Sequence, residues 1–234
     1  MASAQALQAM AAGLTPEAFM NPILLKPKHS TSSEIILNGK HYAPTTKGYR
    51  EFTQGPGIAA VREALSIIQE NFDAVLIEGA GSPAEINLNA WEIVNMRIAR
   101  EADVPVILAA DVDRGGSLAS VVGTLELLGE DRPRVKGIIF NMFRGDIALF
   151  NDAVEWTENY TGVKVLGVMP YLEDVSLPPE DSLAGGHCGS LDPSSFGKIA
   201  QALRENLDIA EIFSLARIQS RPPRGASSNV QESS

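Results

Sequence analysis

The sequence predicts an α/β protein: a mainly parallel, doubly wound sheet with helices on both faces. Two observations carry that reading. Apolar runs of strand length alternate with amphipathic stretches of helix length over residues 57–168. Such alternation implies crossover connections and a parallel sheet covered on both sides. In addition, the runs VLIEGAG, VILAADVDRGG, GIIFNMFRGD and VLGVMPYLED all end in polar or charged residues. Ligands bind beyond the carboxyl ends of strands in open parallel sheets, so functional side chains should gather there.

The elements follow in order. Residues 3–13 are Ala-rich, with Leu7 and Met10 at helical spacing, and read as a short helix. Ile23-Leu24-Leu25 is a short apolar run ending at Lys26-Pro27. Residues 34–42 read as a hairpin around Asn38-Gly39, a strong two-residue turn signal. Ile58, Val61, Leu65, Ile68 and Phe72 recur at helical spacing and predict a helix over 57–72. A strand over 73–78 follows, then a helix over 89–102 with Trp91, Val94, Ile98 and Ala102 on one face. A strand over 104–110 leads to a helix over 117–128. A strand over 135–140, a helix over 147–160 and a strand over 164–168 complete the regular part. The Gly/Ser-rich stretch AGGHCGSLDPSS reads as a linker, and 194–217 as one or two docking helices. The tail from Gln219 is rich in Ser, Pro and Arg and reads as disordered.

Composition narrows the function classes. A chain of 234 residues with 44% hydrophobic content can bury one sizeable core. Its net charge of −10 argues against a nucleic-acid footprint and against an anionic membrane surface. No apolar run approaches the roughly 20 residues that span a bilayer. The start, MASAQALQAMAAGL, carries no Lys or Arg and so lacks the basic region of a signal peptide. A single cysteine excludes an internal disulfide framework. Together these read as a cytoplasmic protein.

Each motif has a plain reading beside the functional one. Glu78 ends an apolar run and is followed by Gly79-Ala80-Gly81. An acid there can hold Mg²⁺ beside phosphates, and small residues let a bulky ligand approach the backbone; the plain alternative is a solvated acid before a tight turn. Glu85 and Asn87 either face metal-bound phosphate or substrate, or cap the following helix. In DVDRGGSL, Asp111, Asp113 and Arg114 precede Gly115, Gly116 and Ser117 at the start of a helix. That N-terminus suits a substrate carboxylate or an acyl phosphate. In the plain reading Asp113 or Ser117 caps the helix and Arg114 pairs with an acid. Asn141 ends GIIFN, and its amide can donate and accept at once, as the edge of adenine requires; otherwise it forms a turn. Arg144 and Asp146 serve phosphates or pair with each other. Lys26, with Asn21, could counter an anion or sit on the surface. Cys188 lies in Gly-His-Cys-Gly without a preceding strand or a downstream His, and is not read as a nucleophile.

These runs, with MNPILLKP near the start, resemble the synthase domain of the cobyric acid synthase family over roughly Ala4 to Leu183. Those enzymes are glutamine-dependent amide ligases acting on corrinoids in cobalamin biosynthesis. The resemblance implies a P-loop NTPase-like sheet of the dethiobiotin synthetase type, incomplete at its N-terminus in this chain. It implies ATP and Mg²⁺ as cofactors, with Glu78 in the metal shell and Gly79 and Gly81 beside the nucleotide. Asn141 would read adenine with Pro170, Tyr171 and Leu172. Asp111, Asp113 and Arg114 would do the chemistry, with Gly116, Ser117, Glu85 and Asn87 facing the substrate. Implied partners are a corrinoid of the adenosylcobyrinic acid a,c-diamide type and a glutaminase domain or other ammonia source. Nucleic acid and membrane are not expected, and a homo-oligomer is left open.

The family's phosphate loop, G-x-x-x-x-G-K-[ST], does not occur in the sequence, and no glutaminase domain is recognisable. The expected organisation is a synthase domain over 1–183, linker and docking helices over 184–218, and a tail over 219–234. The chain by itself is expected neither to hydrolyse ATP nor to release ammonia from glutamine. Two alternatives stand: a related ligase of the cobyrinic acid diamide synthase or dethiobiotin synthetase type, or a truncated, non-catalytic binding protein.

Overall fold

The computed structural model describes residues 2–29, 32–44, 48–175 and 194–217. The linker around Cys188 and the tail from Gln219 lie outside the described residues. After helix α1 (Ser3–Ala11) comes an antiparallel sheet of β1 (Ile23–His29), β2 (Ser32–Leu37) and β3 (Lys40–Pro44), in that spatial order. Asn38 and Gly39 both have positive φ, 48° and 77°, as the two-residue turn between β2 and β3 demands. β1 runs past the apolar triplet to include Pro27. It is an edge strand, where a residue without an N–H is tolerated.

The predicted helix over 57–72 is found as α3 (Ile58–Asn71), entered through α2 (Tyr49–Phe52) and a π-helical turn over Thr53–Gly57 that contains Pro56. Proline cannot donate to the helical ladder, and a widened turn accommodates that loss. Ile58 and Val61 of α3 join Ile35, Phe52, Ile93 and Ile98 in a first core.

The second half is the parallel sheet. Its strands are β4 (Val106–Asp111), β5 (Val135–Phe143) and β6 (Val165–Pro170), ordered β4-β5-β6 and parallel throughout. The connections are α5 (Ser117–Leu127) with a 3₁₀ turn over Gly129–Arg134, then a 3₁₀ turn over Ile147–Phe150 leading into α6 (Asn151–Thr161). Val121 and Leu125 of α5 pack on Ile138, Phe140 and Val168 of the strands. Phe140 is 0% exposed and meets Phe150 edge-on at 5.1 Å between ring centroids. The stretch 194–217, expected as one or two helices, forms two, α7 (Ser194–Asn206) and α8 (Ile209–Leu215), and helices cover both faces of the sheet.

The link between α7 and α8 closes the outer edge of β6. Leu207 forms an antiparallel bridge with Gly167, and the Asp208 N–H donates to the Leu166 carbonyl at 2.7 Å. Gly167 has φ 147°, and a Cβ there would stand 2.1 Å from the Asn206 carbonyl oxygen. Only glycine fits so close a backbone approach. Lys164 Nζ donates to Asp208 at 2.8 Å, and the other Asp208 oxygen accepts from the Glu211 N–H and caps α8.

Two expectations fail. The strand over 73–78 does not form: residues 74–80 have no regular structure, and Leu76 is 96% exposed. A strand exists only where its N–H and C=O groups find a ladder, and no described strand pairs with this run. The helix over 89–102 shrinks to α4 (Met96–Ala102). The Glu92 carboxylate accepts from the amides of Val94, Asn95 and Arg97, which turns the chain and starts the helix late. Among the described residues no helix is long and apolar enough to cross a membrane.

Candidate functional site

The carboxyl ends of β4, β5 and β6 bring three of the predicted regions together. Asp111 is in register with Asn141, and Phe143 with Pro170. The Tyr171 N–H donates to the Phe143 carbonyl at 2.8 Å, so the chain leaving β6 is tied to the end of β5. Met142 has a left-handed φ of 65°, and its N–H donates to the Asn141 side-chain oxygen at 2.9 Å. The turn reading of Asn141 therefore holds for that oxygen. Its side-chain N–H₂ has no partner among the described residues and stays available as a donor.

Charge is paired across this edge. Asp111 accepts the Asp113 N–H at 2.9 Å and pairs with Arg114 at 3.0 Å. Asp113 pairs with Arg144 Nε at 2.8 Å. The Arg144 guanidinium lies over the Tyr171 ring, 3.4 Å from its centroid. Its pKa is raised, chiefly by the hydrogen bond to Asp113. Arg144 does not pair with Asp146, which instead accepts the Ala148 N–H at 2.9 Å and caps the 3₁₀ turn.

The entry to α5 departs from the capping expectation. Gly116 occupies the cap position at φ 68° and Gly115 precedes it at 74°. Neither Asp113 nor Ser117 accepts a capping hydrogen bond; Asp113 is drawn to Arg144, and Ser117 is buried in the helix. Arg114 does pair with an acid, as the plain reading had it.

Glu78 is not part of this strand edge. It lies in the irregular stretch 72–95, exposed, and accepts from the Gln8 side chain of α1 at 2.6 Å. Gly81 takes a left-handed φ of 63°. A Cβ on Gly79 would fall 1.9 Å from the Asn95 side-chain oxygen. Asn95 also donates to the carbonyls of Ala80 at 2.8 Å and Ser82 at 3.4 Å, so it pins the Gly-Ala-Gly turn. Glu85 and Asn87 are exposed in the turns that follow, and Glu92, not they, caps α4. Lys26 is exposed on β1, whereas Asn21 bonds the Ala2 N–H and the Ile23 carbonyl.

Glu78 offers one exposed carboxylate, and Mg²⁺ takes few protein ligands beside substrate oxygens. Among the described residues no three His, Cys, Asp or Glu side chains converge into a preformed metal cage. Gln8, Asn95 and the Arg144–Tyr171 stack escape sequence reasoning: each is a contact between residues far apart in the chain.

A family model described as "AAA domain" matches residues 42–178. The chain is similar to the protein named cobyric acid synthase of Geobacillus sp. (strain WCH70), 51% identical over 183 residues, which are 77% of this chain and 36% of the relative. The cobyric acid synthase of Moorella thermoacetica (strain ATCC 39073 / JCM 9320) is 51% identical over 185 residues, 78% of this chain and 36% of that protein. That of Synechococcus sp. (strain JA-2-3B'a(2-13)) is 50% identical over 185 residues, 78% of this chain and 37% of the relative. The chain thus spans about a third of the length of these curated relatives. No solved structure matches it.

Proposed function

The chain belongs to the AAA domain family, and on that premise we propose that it supplies the nucleotide- and corrinoid-binding synthase part of a cobyric acid synthase. The reaction is the ATP-dependent amidation of corrinoid side-chain carboxylates in the cytoplasm, with ammonia released from glutamine elsewhere. The observation that carries the reading is the likeness at about half identity to proteins of that name, over a stretch that contains every candidate site residue. The nucleotide binding general to the family supports ATP as the energy source.

In the proposed reaction a corrinoid carboxylate oxygen attacks the γ-phosphorus of ATP, ADP leaves, and ammonia then displaces phosphate from the acyl carbon. Phosphoryl transfer depends on positioning and on neutralising charge. Asn141, with its free side-chain N–H₂, and Tyr171 would hold the base at the ends of β5 and β6. Arg114 and the exposed N–H groups at the start of α5 would meet the substrate carboxylate. Mg²⁺, when bound, would neutralise the phosphate oxygens, and Glu78 is the residue that would hold it. The Gly79–Gly81 turn, pinned by Asn95, fixes where that carboxylate stands.

The test is ADP release that depends on a corrinoid, with ammonia supplied. It uses this chain fused behind a strand, phosphate loop and helix of the G-x-x-x-x-G-K-[ST] type, beside its Glu78→Gln variant. The substitution is nearly isosteric and removes only the charge a hard cation needs. The fusion should turn over and the variant should not, with unchanged circular dichroism. Full activity in the variant overturns the metal assignment, and no corrinoid dependence in the fusion overturns the substrate class.

A further inference from the structure

The contact between Arg144 and Tyr171 joins two places that the proposed reaction needs and that no single strand links. Asp113 follows β4, Arg144 follows β5 and Tyr171 follows β6. Asp111 is already engaged by Arg114 and by the Asp113 N–H, so Asp113 is the acid left for Arg144. Asp146, next to Arg144 in the sequence, is occupied in capping the 3₁₀ turn. The guanidinium bonds Asp113 through Nε at 2.8 Å while its plane covers the Tyr171 ring at 3.4 Å. Only a planar, delocalised cation can bond edge-on and stack face-on at once; a lysine ammonium is a point charge and cannot. The charges of Asp111 and Arg114 and of Asp113 and Arg144 cancel in pairs.

We propose that Arg144 is a positioning residue that locks the acid pair beyond β4 to the aromatic wall beyond β6, so that nucleotide base and carboxylate substrate are held in one register. This rests on the reading of Asn141 and Tyr171 as the base-binding corner. Its consequence is that Asp113, which has no hydrogen bond to Asn141 or Tyr171 among the described residues, governs how well the base is held. The effect passes through Arg144 alone.

The experiment is nuclear magnetic resonance on the full chain, with adenosine as the base-only probe. Without ligand, the Arg144 δ-protons should lie upfield because of the Tyr171 ring current. That shift should survive Tyr171→Phe and vanish in Tyr171→Leu. Arg144→Lys and Asp113→Asn should each weaken adenosine binding by about tenfold, the order expected for losing a stacked, hydrogen-bonded guanidinium. Asp113→Asn should add nothing in an Arg144→Ala background. Melting temperatures of the Asp113 and Arg144 variants should not change, because both side chains are exposed. An absent ring-current shift, undiminished adenosine binding in Arg144→Ala, or additive effects of the two substitutions would each overturn the positioning role. If the wild-type chain shows the shift but does not bind adenosine, the base-binding reading itself fails and takes the positioning role with it. Binding that is present but indifferent to Arg144 removes the positioning role alone.

Discussion

β6 and the apolar run before Glu78 have opposite fates. At β6 the outer edge is closed, because Leu207 and Asp208 run alongside it and satisfy the Leu166 carbonyl. By contrast, the run that ends in Glu78 has the same apolar make-up as β4, β5 and β6 yet has no regular structure. Val75 and Ile77 are each 40% exposed and Leu76 almost wholly so. Similar sequences thus give a strand where a neighbour is present and an open loop where none is. Apolar composition states what a segment can bury; pairing decides whether it does.

The largest expected effect is in the paired strands. Phe140→Ala should cost about 3–5 kcal/mol in denaturant unfolding, through lost burial and the cavity left against Phe150. A loss below about 1 kcal/mol would mean that β5 is not the centre of the core.

A smaller effect tests the join at β6 by pH. Asp208 is held below the usual carboxylate range by the Lys164 hydrogen bond and then by the Glu211 N–H. Its contribution is present above the unfolded value of about 3.9 and is lost as pH falls through the depressed folded value. Lys164 is raised by the same bond. Its contribution is full below the unfolded value of about 10.4 and is lost as pH rises through the raised folded value. Asp208→Asn should therefore lower the melting temperature between those limits and flatten both limbs of the curve. Parallel curves for wild type and variant would show that the pair does not hold the α7–α8 link to β6.

The smallest effect is in the unpaired run. Leu76→Ser should change stability by no more than about 0.5 kcal/mol, as for any surface substitution, because the side chain is already in water. A clear destabilisation would place residues 74–78 in a packed strand after all.

Local pattern made much of the fold legible. Asn38-Gly39 fixed the hairpin, the spacing from Ile58 fixed α3, and alternating runs gave β4 to β6 with their crossovers. Boundaries moved where a side chain intervened, as Glu92 does by delaying α4 to Met96. The site was legible as a set of strand ends, and Asp111, Asn141 and Pro170 do lie along one edge. Illegible were the contacts that tune it. Arg144 reaches an acid 31 residues away, Asn95 pins a turn 15 residues back, and Gln8 meets Glu78 across 70 residues. No periodicity encodes such pairs; they follow only from the tertiary fold, and for Arg144 from the crossover topology that brings the strand ends together.

The exposed Val75-Leu76-Ile77 run has a colloidal consequence. Two molecules that meet through this run could bury apolar surface on each other, but each carries a net charge of −10. At low ionic strength that like charge keeps molecules beyond contact range. At about 0.15 M salt the screening length is near 8 Å, and the repulsion no longer reaches past the first layers of water. The same side chain that is neutral for folding thus sets how the chain behaves in crowded, salty solution. The dispersed state is guarded by charge, and salt removes the guard.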